Sequence, residues 1–394
     1  MKLATSRWRS STSWDRSLVG VSDTLNPSLV LAFWTPTVDA QAALTELADT
    51  WPEAIILGCS TAGNIIGDGV CDGELTATLV EFATADLRTA KAQLAKPEDS
   101  HQAGLELGME LAHHGSGLPT AVLVISDGLI VNGSDLVAGM VANLPGVPIS
   151  GGLAGDGPDF ERTQVCLGDD LLRDSVVAVG IWGDQLVVNH GSDGGWEGFG
   201  PERIITASHG STLLELDGQP ALELYRRYLG EDAEELPSSA LLFPLRITSP
   251  DAEHSLVRTV LAIDTGEQSM RFAGDVPTGW GAQLMRTTID RLVDGAQSAA
   301  TGSLIPAPRD RADVLALAVS CVGRRLVLGE RADEEIEACA DVLGSGTTLR
   351  GFYSYGEIVP SDGFVGLHNQ TMTVTVISEQ TGGSRSGHLS GPLQ

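Results

Sequence analysis

The chain is poor in the features that mark several large functional classes. It has five cysteines in 394 residues, at 59, 71, 166, 321 and 339, with no C-x-x-C pair and no C-x-x-C-H haem attachment. Thiols scattered through a large chain fit a reducing compartment better than a disulfide framework. No apolar run approaches the roughly 18 residues of a membrane span. The first residues carry Arg7, Arg9 and Arg16 but no apolar stretch of a secretory signal. Positive charge is scarce: 24 Lys and Arg stand against 52 Asp and Glu, a formal charge of −28. Such an acidic surface repels phosphate backbones and anionic lipid, so neither nucleic acid nor a membrane is an expected partner. A cytoplasmic protein is the expectation.

The signatures of common catalysts are missing as well. There is no G-x-S-x-G elbow, no P-loop Lys-Ser/Thr pair, and no histidine cluster with zinc-site spacing. What remains for an enzyme is thiol chemistry at Cys59 or Cys321, and no His or Lys lies near Cys59 in sequence to activate it. An enzyme is the less favoured reading.

What is present is the alternation of a globular protein. A chain this long exceeds one ordinary core, so two domains are expected. Apolar strands are predicted at 29–34, 54–57, 74–82, 121–125, 163–167, 175–182, 186–190 and 203–208, with helices at 36–50, 100–113, 134–144 and 220–229. Ser134 and Pro220 suit the starts of the last two helices. The second half repeats the grammar: strands at 241–248, 256–263, 269–273, 314–321, 325–328 and 372–377, a long helix over 281–299, and a helix from Asp333 to Leu343 ended by Gly344. The fold class is α/β with α+β character. Each of the two domains is expected to be a mixed, largely antiparallel sheet with packed helices. Residues 1–26 read as a flexible lead, 27–220 as the first domain, 221–378 as the second, and 379–394 as a flexible tail. No short-period repeat is evident.

Several segments carry groups that recognise ligands. Gly58-Cys59-Ser60-Thr61-Ala62-Gly63 ends a strand, where successive N–H groups of small residues can form an anion nest. Gly151-Gly152-Leu153-Ala154-Gly155-Asp156 allows close backbone approach, with Asp156 aimed into a cleft. Ser320-Cys321-Val322-Gly323-Arg324-Arg325 offers guanidinium groups suited to a carboxylate. The densest block is Gly351 to Thr373, which holds Tyr353, Tyr355, Glu357, His368, Asn369 and Gln370. A polar and aromatic cluster running into an apolar strand is typical of a site on a scaffold.

Together these segments resemble the FIST family, whose members combine an N-terminal and a C-terminal FIST domain. The N-terminal likeness rests on Gly58 to Gly63, on Gly151 to Asp156, and on the passage from Arg203-Ile204-Ile205-Thr206 to Leu216-Asp217-Gly218-Gln219-Pro220-Ala221-Leu222. The C-terminal likeness rests on Ser320 to Arg324, Gly351 to Ile358 and Leu367-His368-Asn369-Gln370-Thr371. The resemblance implies an intracellular sensory module for a small ligand, such as an amino acid, in signal transduction. With no output segment outside the two halves, a separate signalling partner is expected. For an amino acid, Arg324 would take the carboxylate and Asp156 or Glu357 the ammonium, with Tyr355, Asn369 and Gln370 orienting it. Cys59, Ser60, Thr61, Gly152 and Cys321 complete the expected ligand-binding set. Some members of the family bind haem as nitric oxide sensors, and His368 is the first candidate axial ligand for that alternative.

Overall fold

The structure is a computed structural model that describes residues 1–9, 13–113, 117–236, 238–252, 254–305, 313–361 and 364–380. The expected tail lies outside these residues from position 381 onward. The class is mixed α/β, with helices packed on mixed and antiparallel sheets.

The chain builds one unit of structure three times. Each unit has an inner pair of parallel strands joined by helix, flanked by antiparallel strands before and after. In the first unit Leu29–Trp34 runs parallel to Ile55–Ser60 across the helix Ala40–Thr50. In the second, Ala121–Ser126 runs parallel to Ile149–Leu153 across Gly133–Asn143. In the third, Val314–Cys321 runs parallel to Thr347–Ser354 across the helices Val322–Leu328 and Ala332–Leu343. A helical crossover is what joins parallel neighbours. A later strand then pairs antiparallel to the first of each pair: Glu74–Glu81, Ser175–Trp182 and Met372–Glu379. An earlier strand closes each sheet: Lys2–Arg9, Asp86–Gln93 and Leu186–Asp193. Residues 2–9 are therefore a paired strand, not the flexible lead that their polar composition suggests.

Hairpins tie the units in a ring. The hairpin strand Asn64–Ile66 of the first unit pairs with Thr347–Ser354 of the third. Val165–Leu167 of the second pairs with Ile55–Ser60 of the first, and Gly356–Ser361 of the third pairs with Ile149–Leu153 of the second. Period-two alternation explains the layering. Leu29, Leu31 and Phe33 point inward to meet Leu123, Ile125, Leu315, Leu317, Val319 and Phe352 in a central core. Val30, Ala32 and Trp34 point outward onto Ala43, Leu44 and Leu47 of the first unit's helix.

Glycine marks the same place in every unit. Gly58 lies opposite Ala32, Gly151 opposite Val124, and Gly351 opposite Ala318. A Cβ at any of the three would overlap the facing carbonyl oxygen. The parallel strands approach too closely there for a side chain.

One region stands outside this scheme. Glu197–His209, Thr212–Leu216, Leu245–Thr248, Ser255–Arg258, Val260–Asp264, Ser269–Phe272 and Gly281–Arg286 form an antiparallel sheet inserted in the third unit. The helix Ala221–Leu229 packs on it around Tyr225, Leu213, Ile247 and Phe272. The expected boundary near 220 falls inside this insert. Three local expectations change here and nearby. Residues 281–286 are a strand paired with Leu245–Thr248, and the helix spans Ile289–Gly302. Residues 325–328 belong to the helix Val322–Leu328. Asn132, not Ser134, caps its helix, accepting from the N–H groups of Ser134 and Asp135.

Candidate functional site

The glycine-rich segments converge where the three units meet. The N–H of Ala62 donates to Tyr353 O (2.9 Å), that of Gly155 to Ser60 O (3.0 Å), and that of Tyr355 to Leu153 O (3.1 Å). Each unit thus donates to another, and a ring of backbone bonds closes at the C-terminal ends of the parallel strands. Open α/β sheets place their crevices at those ends. Three cavities lie there, of about 610, 450 and 440 Å3. Phe160, Leu261, Ala273 and Tyr355 border both the first and the second, while Pro158, Val322 and Leu326 border both the second and the third.

The 450 Å3 cavity holds the most distinctive chemistry. The inserted sheet supplies Thr259, Val260, Leu261 and Ala273, with Leu241 from the short helical turn before it. The ring of units supplies Phe160, Cys321, Val322, Tyr355 and Asn369. Tyr355 and Phe160 stack with ring centroids 4.3 Å apart and planes 16° from parallel. Asn369 is fully buried, and neither its Nδ2 nor its Oδ1 has a hydrogen-bond partner. The Thr259 hydroxyl is also buried and unpartnered. Leaving one such group unpaired costs about 1–3 kcal/mol, so these two side chains, one on each side of the cavity, are exceptions to the rule that buried polar atoms are paired.

Asn369 is followed by Gln370, whose φ of 59° lies in the left-handed region. Two contacts hold that conformation: the Gln370 carbonyl accepts from Trp196 Nε1 (2.8 Å), and its Nε2 donates to Leu241 O (3.3 Å). The turn therefore bridges the ring and the segment leading into the insert. A strained residue beside an unsatisfied one is a feature of ligand sites.

Other expected site residues are engaged within the protein. Arg324 is fully buried, donates to Glu335 (2.6 and 3.0 Å), and also donates to the carbonyls of Gly194 (2.7 Å) and Leu292 (2.8 Å). Its fork is filled, and it does not line the cavity beside its neighbours Val322 and Gly323. Glu335 further accepts from Ser320 Oγ (3.0 Å) and the Tyr353 hydroxyl (2.7 Å). Asp156 anchors a loop: its carboxylate accepts from the N–H groups of Phe160 (3.0 Å), Glu161 (2.8 Å) and Arg162 (2.5 Å), and from the Tyr355 hydroxyl. Those bonds place Phe160 against Tyr355. Glu357 lies away from the cavity wall and accepts from Ser354 Oγ (2.7 Å) and from Thr371 through Oγ1 (2.8 Å) and N (3.2 Å). Burial raises its carboxyl to about 8.

Cys59 points into the central core, and burial, with Cys166 close by, pushes its thiol well up. Cys321 does border the cavity, but burial also drives its thiol up, aided by Glu357 and opposed by the N–H groups of Gln370 and Gly323. Neither is a poised thiolate. Ser60 accepts from Gln164 N (2.9 Å) and borders a separate crevice with Asp156, while Thr61 borders the 440 Å3 cavity and donates to Asn64 Oδ1 (2.9 Å). Gly152 is packed against Gly356 and Val319. His368 is buried with Nε2 unpartnered, and burial together with Arg258 lowers it to about 4, so it is neutral near pH 7. It borders none of these cavities. Among the described residues no group of three or more His, Cys, Asp or Glu side chains is placed to hold a metal ion. No helix among them is long and apolar enough to cross a membrane.

Sequence reasoning missed the insert wall and Phe160. Gly157-Pro158 signalled a turn beside Asp156. Thr259 sits between the strands Ser255–Arg258 and Val260–Asp264, and nothing local in the sequence distinguishes it.

The ring of units, with cavities at the C-terminal ends of its parallel strands, defines a mixed α/β protein. The chain belongs to the FIST family: the FIST N domain matches residues 28–219 and the FIST C domain matches residues 221–360. FIST domains are small-ligand sensory modules. No curated protein matches the chain. Among solved structures, a cyanuric acid hydrolase from A. caulinodans is similar at 9% identity and a TM-score of 0.39, over 96% of this chain and 99% of that one.

Proposed function

We propose that this chain is a sensory protein whose small ligand occupies the 450 Å3 cavity between the ring of units and the inserted sheet. The carrying observation is the cavity itself, walled by Leu241, Thr259 and Ala273 on the insert side and by Phe160, Val322 and Tyr355 on the ring side, with the unpartnered Asn369 side chain packed in the ring wall. A ligand there is held against the largely apolar wall. The volume suits a molecule of metabolite size. A zwitterionic amino acid is less well served than the sequence suggests. Arg324, Asp156 and Glu357 are all occupied by protein partners, so the cavity offers no free charged pair for its two ends.

The cavity also suggests how binding is reported. Leu241, Thr259 and Ala273 belong to one body and Tyr355 and Asn369 to the other. A ligand touching both favours the arrangement in which they are close, and its differential affinity sets the population shift. The output passes to a separate protein that recognises the position of the insert.

The test is mass spectrometry of small molecules released from the denatured, purified protein, paired with Ala273→Trp. This substitution fills the cavity from the insert side. The expected result is a small molecule released from the wild type and absent from the folded variant. The same molecule retained by Ala273→Trp would place binding elsewhere.

A further inference from the structure

We propose that the ligand is a flat aromatic carboxylate, with its ring against Phe160 and its carboxylate paired with Arg271. The ligand class rests on the site proposed above and extends it into the neighbouring 610 Å3 cavity. The two cavities share Phe160, Leu261, Ala273 and Tyr355, so one molecule can reach from one into the other. Among the described residues, Arg271 is the one charged side chain that borders either. It is exposed on the strand Ser269–Phe272 of the insert, between Thr212 and Ala262 on the flanking strands, neither of which is charged. It has no hydrogen-bond or ion-pair partner among the described residues. In a chain with 52 acidic residues against 24 basic ones, an unpaired arginine on a cavity wall is conspicuous. A free guanidinium takes a carboxylate through two parallel N–H bonds, and here no existing bond has to break.

The other charged groups close to these walls are engaged elsewhere. Arg258 is buried and donates to the carbonyls of Asp275 (2.9 Å) and Leu367 (2.8 Å). The carboxylates of Asp275 and Asp135 both accept from Asn132 Nδ2, at 3.1 and 3.0 Å. Arg325 pairs with Asp72 beside the 440 Å3 cavity. Asp159 and Glu161 border the separate crevice that holds Ser60. No carboxylate lines either cavity to meet an ammonium, so the positive end of a zwitterion would lose water without gaining a partner. The shape favours a ring. Phe160 remains 44% exposed although it stacks on Tyr355, and Leu261 is 46% exposed. A planar body stacked on the open face of Phe160 covers both.

The experiment titrates cinnamate, cinnamamide and phenylalanine, which share a phenyl ring on a three-carbon chain and differ in charge, together with benzoate and benzamide. Calorimetry and thermal shift are read on protein stripped by unfolding and refolding: wild type, Arg271→Gln, Arg271→Lys and Ala273→Trp, each first shown to melt cooperatively. At least one carboxylate is expected to bind more tightly than its amide and more tightly than phenylalanine. Its affinity falls roughly ten- to hundredfold in Arg271→Gln and recovers in part in Arg271→Lys, while amide binding is the same in all three. Carboxylate binding is lost in Ala273→Trp or, if that variant does not fold, in Leu261→Glu, which sets a like charge at an exposed position shared by both cavities. Amides or phenylalanine that bind as well as the carboxylates, ignore Arg271→Gln and are lost in Ala273→Trp overturn the ligand class and leave the site standing. Carboxylates that depend on Arg271 but are retained by Ala273→Trp uphold the Arg271 contact and overturn the 450 Å3 cavity as the site. If no carboxylate binds at millimolar concentration, the assignment is overturned.

Discussion

Two groups of buried polar side chains flank the turn at Cys321. On one side Arg324 and Glu335, with Ser320 and Tyr353, form a cluster in which the guanidinium and carboxylate are bonded throughout. On the other side Asn369 and Thr259 border a cavity, and their buried polar atoms have no bonding partner. From the sequence the two groups look alike, and Arg324 looks the better ligand contact. The difference lies in satisfaction. A satisfied cluster fixes the scaffold, and adding a ligand to it means breaking bonds. An unsatisfied buried group has no bond to lose, so replacing it costs the fold little.

The largest effect is expected from opening the satisfied cluster. Glu335→Ala leaves the Arg324 guanidinium buried without its counter-charge, and such a loss costs about 3–5 kcal/mol. Denaturant unfolding should show a midpoint well below wild type or a protein that no longer folds. A change under about 1 kcal/mol would mean that Arg324 has escaped to solvent, and the contrast with Asn369 would collapse.

Glu357 sharpens the comparison through pH. Burial raises its carboxyl from an ordinary value of 4.5 to about 8. Between those values the folded protein keeps a proton that the unfolded chain has released. Its protonation therefore contributes stability that is fully present below the ordinary value and is lost as pH rises from there through the folded value, at up to about 1.4 kcal/mol per pH unit. Glu357→Gln removes the proton equilibrium and keeps the size. Between about pH 6 and about pH 7.5, wild type should lose roughly 2 kcal/mol relative to this variant. Parallel stability profiles would show that Glu357 is ionised in the fold and available as a charged group.

Tyr355 spans both kinds of region: its ring faces the cavity while its hydroxyl bonds Asp156 and the Gly157 carbonyl (2.9 Å). Tyr355→Phe keeps the ring against Phe160 and deletes the tie to the loop. A loss of about 1 kcal/mol is expected, with faster hydrogen exchange at Phe160, Glu161 and Arg162, whose N–H groups depend on Asp156. Unchanged exchange there would show that Asp156 holds the loop without help.

How much of this was legible beforehand follows from what each feature depends on. The strands Leu29–Trp34 and Val314–Cys321 are buried on both faces and read as unbroken apolar runs. The glycine segments were conspicuous because close strand approach admits no side chain. Their equivalence was not, since the residues after Gly58, Gly151 and Gly351 are Cys59, Gly152 and Phe352, which share no chemistry. The repeat lives in pairing and not in residue identity. Residues 281–286 lack a strong strand signal, and their strand depends on partners from Leu245–Thr248 and Glu197–His209. The block from 351 to 373 stands out in the sequence for its polar and aromatic residues, and Tyr355 and Asn369 from it border one cavity. Arg324 misled because its partners, Gly194, Leu292 and Glu335, come from distant parts of the chain.

The smallest effect on stability is expected at the most informative position. Asn369→Leu replaces two unpaired polar atoms with an apolar side chain of similar size. A residue that braced the fold would lose about 1 kcal/mol or more on this change, as buried hydrogen-bonding groups do. A residue held in readiness for a ligand has no bond to lose, and removing its unsatisfied atoms leaves stability unchanged or raises it by up to about 1 kcal/mol. The expected melt of ligand-free Asn369→Leu therefore matches or exceeds that of ligand-free wild type. Stripping the protein by unfolding and refolding before the melt is essential, because a retained ligand would raise the wild type alone. A clear loss of stability in the stripped pair would show that Asn369 supports the backbone around Gln370, and the division between a satisfied scaffold and an unsatisfied wall would no longer hold.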